Sequence, residues 1–200
     1  MNILVIGAGG VGASMASIAE TRSFFTQFVL ADISLSRAEE AIALLDDRSK
    51  FVAEQVDARD MGAIKALIQK VKADVVVNAC DPRMNEPIFN AAFEAHCNYI
   101  DMAMNLSEPH ASNPYEEVGS PLGADQLAAD QAWRDRGLLA LVGMGVEPGL
   151  SDVFARYAAD NLFDTIDEIG VRDGSNLSID GLDFAPTFSI WTTIEECLNP

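Results

Sequence analysis

Short apolar runs alternate with longer mixed stretches along this 200-residue chain. Residues 2–6 (NILVI), 28–31, 51–56, 75–78, 98–101 and 138–142 read as strands, and 75–78 is apolar enough to be covered on both faces. Between them, residues 11–21, 36–45, 61–72, 85–95 and 124–136 read as helices, the second opened by Ser34 and the third capped by Asp60. Strict alternation of this kind predicts an α/β fold: a doubly wound parallel sheet of Rossmann type with helices on both faces. The character changes at Gly143. A glycine-rich turn at 143–149 leads to a helix at 150–161, with Ser151 or Asp152 near its start. A strand-like run follows at 165–172, then a turn at 173–176, a poorly helical stretch at 177–190 and an incipient helix at 191–198. The expected organisation is a dinucleotide-binding domain over residues 1–145 and the opening part of a second α/β substrate domain over 146–200. The unfinished second unit leads us to expect chain beyond Pro200.

The first strand runs straight into Gly7-Ala8-Gly9-Gly10-Val11-Gly12, and an acid, Asp32, ends the second strand twenty residues after the third glycine. Each part suits a dinucleotide. Gly7 permits the tight turn, Gly9 lets a pyrophosphate approach the backbone, and Gly12 lets helix and strand pack closely. The helix start at Gly10 and Val11 offers amides and positive dipole to phosphate. Asp32, followed by Ile33, stands where a carboxylate accepts from ribose hydroxyls and repels a 2′-phosphate, so NAD is favoured and NADP remains compatible. Arg37, early in the next helix, is read as a solvated residue rather than a phosphate ligand.

In such a sheet, ligands lie outside the carboxyl ends of the strands. That rim holds Asp57 and Ala58, expected near the adenine, and Asn78, Ala79 and Cys80, expected near the nicotinamide-side ribose and phosphates. It also holds Asp101 and the 143–149 turn, with Gly145, Val146 and Glu147. Cys80 reads as a small rim residue rather than a nucleophile, since no base is visible beside it. Glu147 and Asp101 are the catalytic candidates; their plainer readings are a brace for the Pro148-Gly149 turn and a cap for backbone amides. Arg83, Arg156 and Arg172 are the available cations for a substrate carboxylate. Residues 105–123 show little periodicity and fit either a lid or a loose insertion.

Composition trims the alternatives. Lys plus Arg (13) against Asp plus Glu (31) gives a net charge of −18, which argues against nucleic acid and anionic membrane surfaces. No apolar run is long enough to span a bilayer. Three cysteines without metal-type spacing, and two isolated histidines, point to free thiols and no metal site. A first strand at residue 2 leaves no room for a signal peptide, giving a cytoplasmic expectation.

Four segments carry a resemblance. GMGVEPGLSD at 143–152 resembles the G-x-[DE]-P-G-[LIV] signature that follows the Rossmann portion in the saccharopine dehydrogenase family. NYIDMA at 98–103 and NACDP at 78–82 are similar to that family's strand-end segments, and the stretch 184–200 to its substrate-domain opening. The resemblance implies an NAD(P)-dependent oxidoreductase transferring hydride at a C–N bond of an amino-acid conjugate, interconverting secondary amine and imine. Carboxynorspermidine dehydrogenases and homospermidine synthases, which act on polyamine conjugates, are the alternative within the family. It also implies a homodimer for the full-length protein. One departure bears on the cofactor: family members with ASR at the end of strand two suit NADP, whereas this chain has Ala31-Asp32-Ile33. A non-catalytic NAD(H)-binding regulatory module shares the glycine turn and the acid, but would end near residue 140.

Overall fold

In the computed structural model, residues 1–172 are described, together with 174, 179–181, 190, 194 and 198. Six parallel strands form one sheet: β1 (Asn2–Ile6), β2 (Gln27–Asp32), β3 (Phe51–Gln55), β4 (Val75–Asn78), β5 (Asn98–Asp101) and, after a short antiparallel pair β6 (Glu108–Pro109) and β7 (Val118–Ser120), β8 (Ala140–Leu141). Their spatial order is β3-β2-β1-β4-β5-β8. The helices between them are α1 (Gly10–Glu20), α2 (Leu35–Ala43), α3 (Met61–Val71), α4 (Asn85–Glu94), α5 (Ala124–Ala128) and α6 (Asp130–Asp135), and α7 (Leu150–Asn161) follows the last strand.

The period of two in a strand divides β1 between two cores. Leu4 and Ile6 join Val29, Ile64, Ile68 and Ile88 on one face, while Ile3 and Val5 join Ala16, Phe28, Leu30 and Ile42 on the other. Aromatics close the first core at its β5 edge: Phe89 lies 5.1 Å from Tyr99 and 4.9 Å from Trp133, centroid to centroid. Phe25, edge-on to both Phe28 and Phe51, closes the second together with those two rings, which are tilted 43° to each other. α3 starts where Asp60 accepts the Ala63 amide at 2.9 Å, as its sequence predicts.

Three predicted elements differ. Residues 105–123 are not featureless: β6 and β7 pair within them, through Glu108 with Ser120 and Pro109 with Val118. Two- and three-residue strands containing Pro109 and Gly119 leave no alternation for a sequence to display. The expected single helix at 124–136 is divided at Ala129, whose amide is shared between the Asp125 and Gln126 carbonyls in a tightened turn. Residues 165–172 form no strand, for they have no pairing neighbour among the described residues. The turn at 173–176, the stretch 177–190 and the helix at 191–198 fall outside the described residues, apart from isolated positions.

Candidate functional site

The strand order reverses beside β1: the chain goes from β1 outward to β2 and β3, then crosses back to β4 on the other side. The crevice at this switch point is the ligand position of an open α/β sheet. Its floor is backbone. Gly7, at φ +108°, donates its N–H to Ala31 O at 2.7 Å, and a Cβ there would stand 2.7 Å from the Ala79 carbonyl oxygen and 3.0 Å from Cys80 Sγ. A Cβ on Gly12 would overlap the Gly7 carbonyl. Both glycines are therefore demanded by the protein's own packing.

Gly9 and Gly10 differ in kind. A Cβ at either meets nothing within 4 Å, and both residues are exposed. The space over them is left by the protein for something else. The first bond of α1 runs from Ala13 N–H to Gly9 O, so the amides of Gly10, Val11 and Gly12 precede the helical ladder. An open cradle at a helix N-terminus fits a pyrophosphate.

Beside it, Asp32 is buried at 7% exposure. Its Oδ2 accepts the Ala8 amide at 2.9 Å and its Oδ1 the Ser34 amide at 3.0 Å. Ile33 is half exposed next to it. Arg37 is exposed, as expected, and its Nη1 stands 3.5 Å from Asp32 Oδ1. A cavity of about 390 Å³ spans this region, with Gly7, Asp32, Arg37, Asp57, Ala58 and Cys80 among its lining residues. Asp57 grips Arg59 at 2.7–3.2 Å, and those bonds hold its carboxyl down to about 2 from an ordinary 3.8. Cys80 lies in the wall, its thiol bonded to Ile6 O at 3.3 Å. Burial, then the nearby charges of Asp32 and Asp81, push that thiol up to about 12, which keeps it protonated and unreactive.

Behind the β4–β5–β8 half of the rim lies a continuous buried chain of polar side chains. Asn78 accepts the Cys80 amide at 2.9 Å, donates to Asn85 Oδ1 at 2.7 Å and reaches the Tyr99 hydroxyl at 3.3 Å. Asn85 donates to Ala103 O at 2.7 Å. The Tyr99 hydroxyl also bonds Asp101. Asp101, 1% exposed, accepts Gly143 N–H at 2.6 Å and Gln126 Nε2 at 2.7 Å, and Gln126 in turn accepts the Asn105 amide at 2.7 Å. Burial raises the Asp101 carboxyl, opposed by the bonds from Gly143, Gln126 and Tyr99. The sequence singled out Asn78 and Asp101 but missed Asn85, Tyr99 and Gln126.

Gly145 and Val146 sit in a turn closed by bonds from Gly145 N to Pro148 O and from Leu150 N to Gly145 O, each 3.0 Å. Val146 and Glu147 are exposed, and Glu147 has no hydrogen-bond partner among the described residues. Asp152 accepts the Gly149 amide at 2.9 Å and secures the start of α7. Of the candidate cations, Arg83 grips Asp81 through Nε at 2.8 Å and lines a second, polar cavity of about 360 Å³ beneath the β6–β7 arm. Arg156 pairs with Asp160 along α7. Among the described residues, no group of three or more His, Cys, Asp or Glu is placed to hold a metal ion, and no helix is long and apolar enough to cross a membrane.

The chain is 34% identical over 204 residues to carboxynorspermidine synthase of Vibrio cholerae serotype O1, an alignment covering 98% of this chain and 48% of that protein. It is 29% identical over 194 residues to carboxyaminopropylagmatine dehydrogenase of Synechocystis, covering 97% and 46%. The chain thus spans about half the length of the relatives it matches. Among solved structures, saccharopine dehydrogenase (L-Glu forming) of Saccharomyces cerevisiae superposes with a TM-score of 0.61 at 16% identity, over 80% of this chain and 31% of that one, a likeness of fold. The family model described as the saccharopine dehydrogenase NADP binding domain matches residues 3–141, from β1 to the end of β8, so the chain belongs to the saccharopine dehydrogenase family through its NAD(P)-binding domain.

Proposed function

We propose that this chain is the cofactor-binding part of an NAD(P)-dependent oxidoreductase acting on the C–N bond of a carboxyl-bearing polyamine conjugate. The observation that carries the reading is the open cradle over Gly9 and Gly10, at the end of β1 where the strand order reverses. The polyamine side of the family is supported by the two relatives whose names specify carboxynorspermidine and carboxyaminopropylagmatine. A saccharopine-type amino-acid conjugate is the second reading, supported by the family match itself.

In this assignment Gly9, Gly10, Val11 and Gly12 cradle the pyrophosphate, Asp32 and Ile33 border the adenosine ribose, and Asp57 and Ala58 flank the adenine. Asn78, Ala79 and Cys80 lie against the nicotinamide half, with Gly145 and Val146 across from them. Bound there, the nicotinamide supplies or removes hydride at the carbon of the C–N bond. Glu147, exposed on its turn, is the group placed to relay the amine proton. Asp101 has both oxygens engaged inside the protein, so its assigned part is positioning: through the Gly143 amide it holds the turn that carries Glu147. The division into a cofactor domain over 1–145 and a second domain from 146 belongs to the same reading. So do a homodimer of the full-length protein, no nucleic-acid partner, and a cytoplasmic location.

The test is reduction of NAD⁺ and NADP⁺ by the full-length protein with carboxynorspermidine, carboxyaminopropylagmatine or saccharopine, followed by absorbance. Turnover with either polyamine conjugate is expected; turnover with saccharopine alone selects the second reading. Tight nucleotide binding without any turnover overturns both in favour of a non-catalytic module. Glu147→Gln in the active enzyme is expected to lower kcat about a hundredfold, with NAD(P)H affinity unchanged.

A further inference from the structure

The cavity of about 360 Å³ beneath the β6–β7 arm takes no part in the dinucleotide site, and its size is that of a small-molecule pocket. Three stretches of chain line it: 82–86 after β4, the two ends of the arm at 105–108 and 120–121, and 124–125 at the start of α5. It adjoins the nicotinamide half of the crevice, for Cys80 and Asp81 line that crevice and Pro82 and Arg83 line this cavity. Its charge is one-sided. Arg83 is gripped by Asp81, through Nε at 2.8 Å and Nη2 at 3.0 Å, and the pair is neutral together. The carboxylates of Glu86, Glu108 and Asp125 have no hydrogen-bond or ion-pair partner among the described residues. Pro82, Leu106 and Pro121 add apolar wall to the same space.

Unpaired carboxylates and apolar wall around one cavity suit an alkyl chain that carries ammonium groups: methylenes lie on the wall while each ammonium donates to a carboxylate. We propose that this cavity is the subsite for the amine-bearing arm of the substrate, with Glu86, Glu108 and Asp125 as its acceptors. An arm ending in carboxylates, as in saccharopine, is repelled from the same space. The cavity is also tied to the turn that carries Glu147. Its Asn105 donates a backbone amide to Gln126 Oε1 at 2.7 Å, Gln126 Nε2 donates to Asp101 Oδ2 at 2.7 Å, and Asp101 Oδ1 accepts Gly143 N–H at 2.6 Å. That buried chain sets the cavity wall and the 143–149 turn in register, so an arm seated in the one presents the reacting C–N bond to the other. The inference deepens the polyamine reading and rests on it.

Calorimetric titration of the full-length protein with norspermidine, a triamine without a carboxylate, reads the subsite without requiring turnover. Wild type is expected to bind it, more weakly as salt is raised. Glu86→Gln combined with Asp125→Asn is expected to weaken norspermidine about tenfold, with NADH affinity within about threefold of wild type. Both side chains are exposed and unbonded, so the wild-type Tm should survive the exchange. Asp125→Glu, which keeps the charge, should stay within about threefold of wild type for norspermidine. In turnover, the double variant should raise KM for the polyamine conjugate while kcat stays within about threefold. A wild type that does not bind norspermidine, or a double variant that binds it as wild type does, overturns the inference. The enzyme reading fails separately: norspermidine binding lost in the double variant, with no conjugate turned over by wild type, leaves the subsite standing. Turnover of a polyamine conjugate with the same KM in the double variant keeps the enzyme and removes the subsite.

Discussion

The two halves of the strand rim use polar groups in opposite ways. On the β1–β2–β3 side they face an open crevice: amides at the start of α1, the Asp32 carboxylate at its edge, and the Asp57–Arg59 pair on the surface. On the β4–β5–β8 side Asn78, Asn85, Asp101 and Gln126 are all buried, and every one is bonded to another part of the protein. Among the described residues no buried side-chain polar atom lacks a partner. One half is therefore left open along its crevice, over Gly9 and Gly10. The other is already complete, and its product is the placement of two loops, 102–105 and 143–149.

The widest separation between these uses is expected within the glycine turn itself. Gly12→Val forces side-chain atoms into the Gly7 carbonyl and should destabilise the fold by about 3 kcal/mol or more, seen as a lowered Tm. Gly9→Ala should stay near the wild-type Tm and weaken dinucleotide binding, since its new Cβ meets nothing of the protein within 4 Å. If both variants unfold alike, the cradle is not an open space kept for a ligand. Next, Gln126→Leu strands Asp101 Oδ2 and the Asn105 amide. The expected loss is about 1–3 kcal/mol by denaturant titration, with NADH affinity within about threefold of wild type. A large fall in NADH affinity without a fall in stability would erase the distinction between the halves.

The smallest effect concerns acid. Asp57 is held at about 2 against an ordinary 3.8 by its bonds from Arg59, so the folded state binds its proton less readily than the unfolded chain. The pair's contribution is present above 3.8 and disappears as pH falls through about 2. Carboxylate chemical shifts should follow that lowered titration in wild type and return to the ordinary range in Arg59→Ala.

Much of the open half was legible in the sequence, and much of the closed half was not. Gly7, Gly9, Gly12 and Asp32 occur at fixed offsets because the turn, α1 and the acid-bearing end of β2 are consecutive in the chain. The closed half is assembled from residues far apart, such as Asp101 with Gln126 and Asn98 with Leu139, and no local spacing announces such pairs. A signal was nonetheless present. Asn85 shares a helical face with Ile88, Phe89 and Ala92, and Gln126 lies seven residues before Trp133, so each is a polar residue on a buried stripe. A polar side chain there needs a buried partner. Arg37 is exposed, as its place early in the helix suggests, and its contact with the Asp32 carboxylate adds to that reading, because a long side chain can do both.

The β6–β7 arm ends where it begins. Gly123 donates its amide to the Asn105 carbonyl at 2.8 Å, and Asn105 is itself fastened to Gln126. The excursion from 106 to 122 is thus a closed bight of chain with a single root, and its circumference is not a dimension of the sheet. Lengthening it adds a closure entropy that grows only with the logarithm of loop size, and none of that is felt as tension on β5 or β8. Relatives can accordingly differ in size and chemistry here while the dinucleotide crevice, on the far side of that root, keeps its shape.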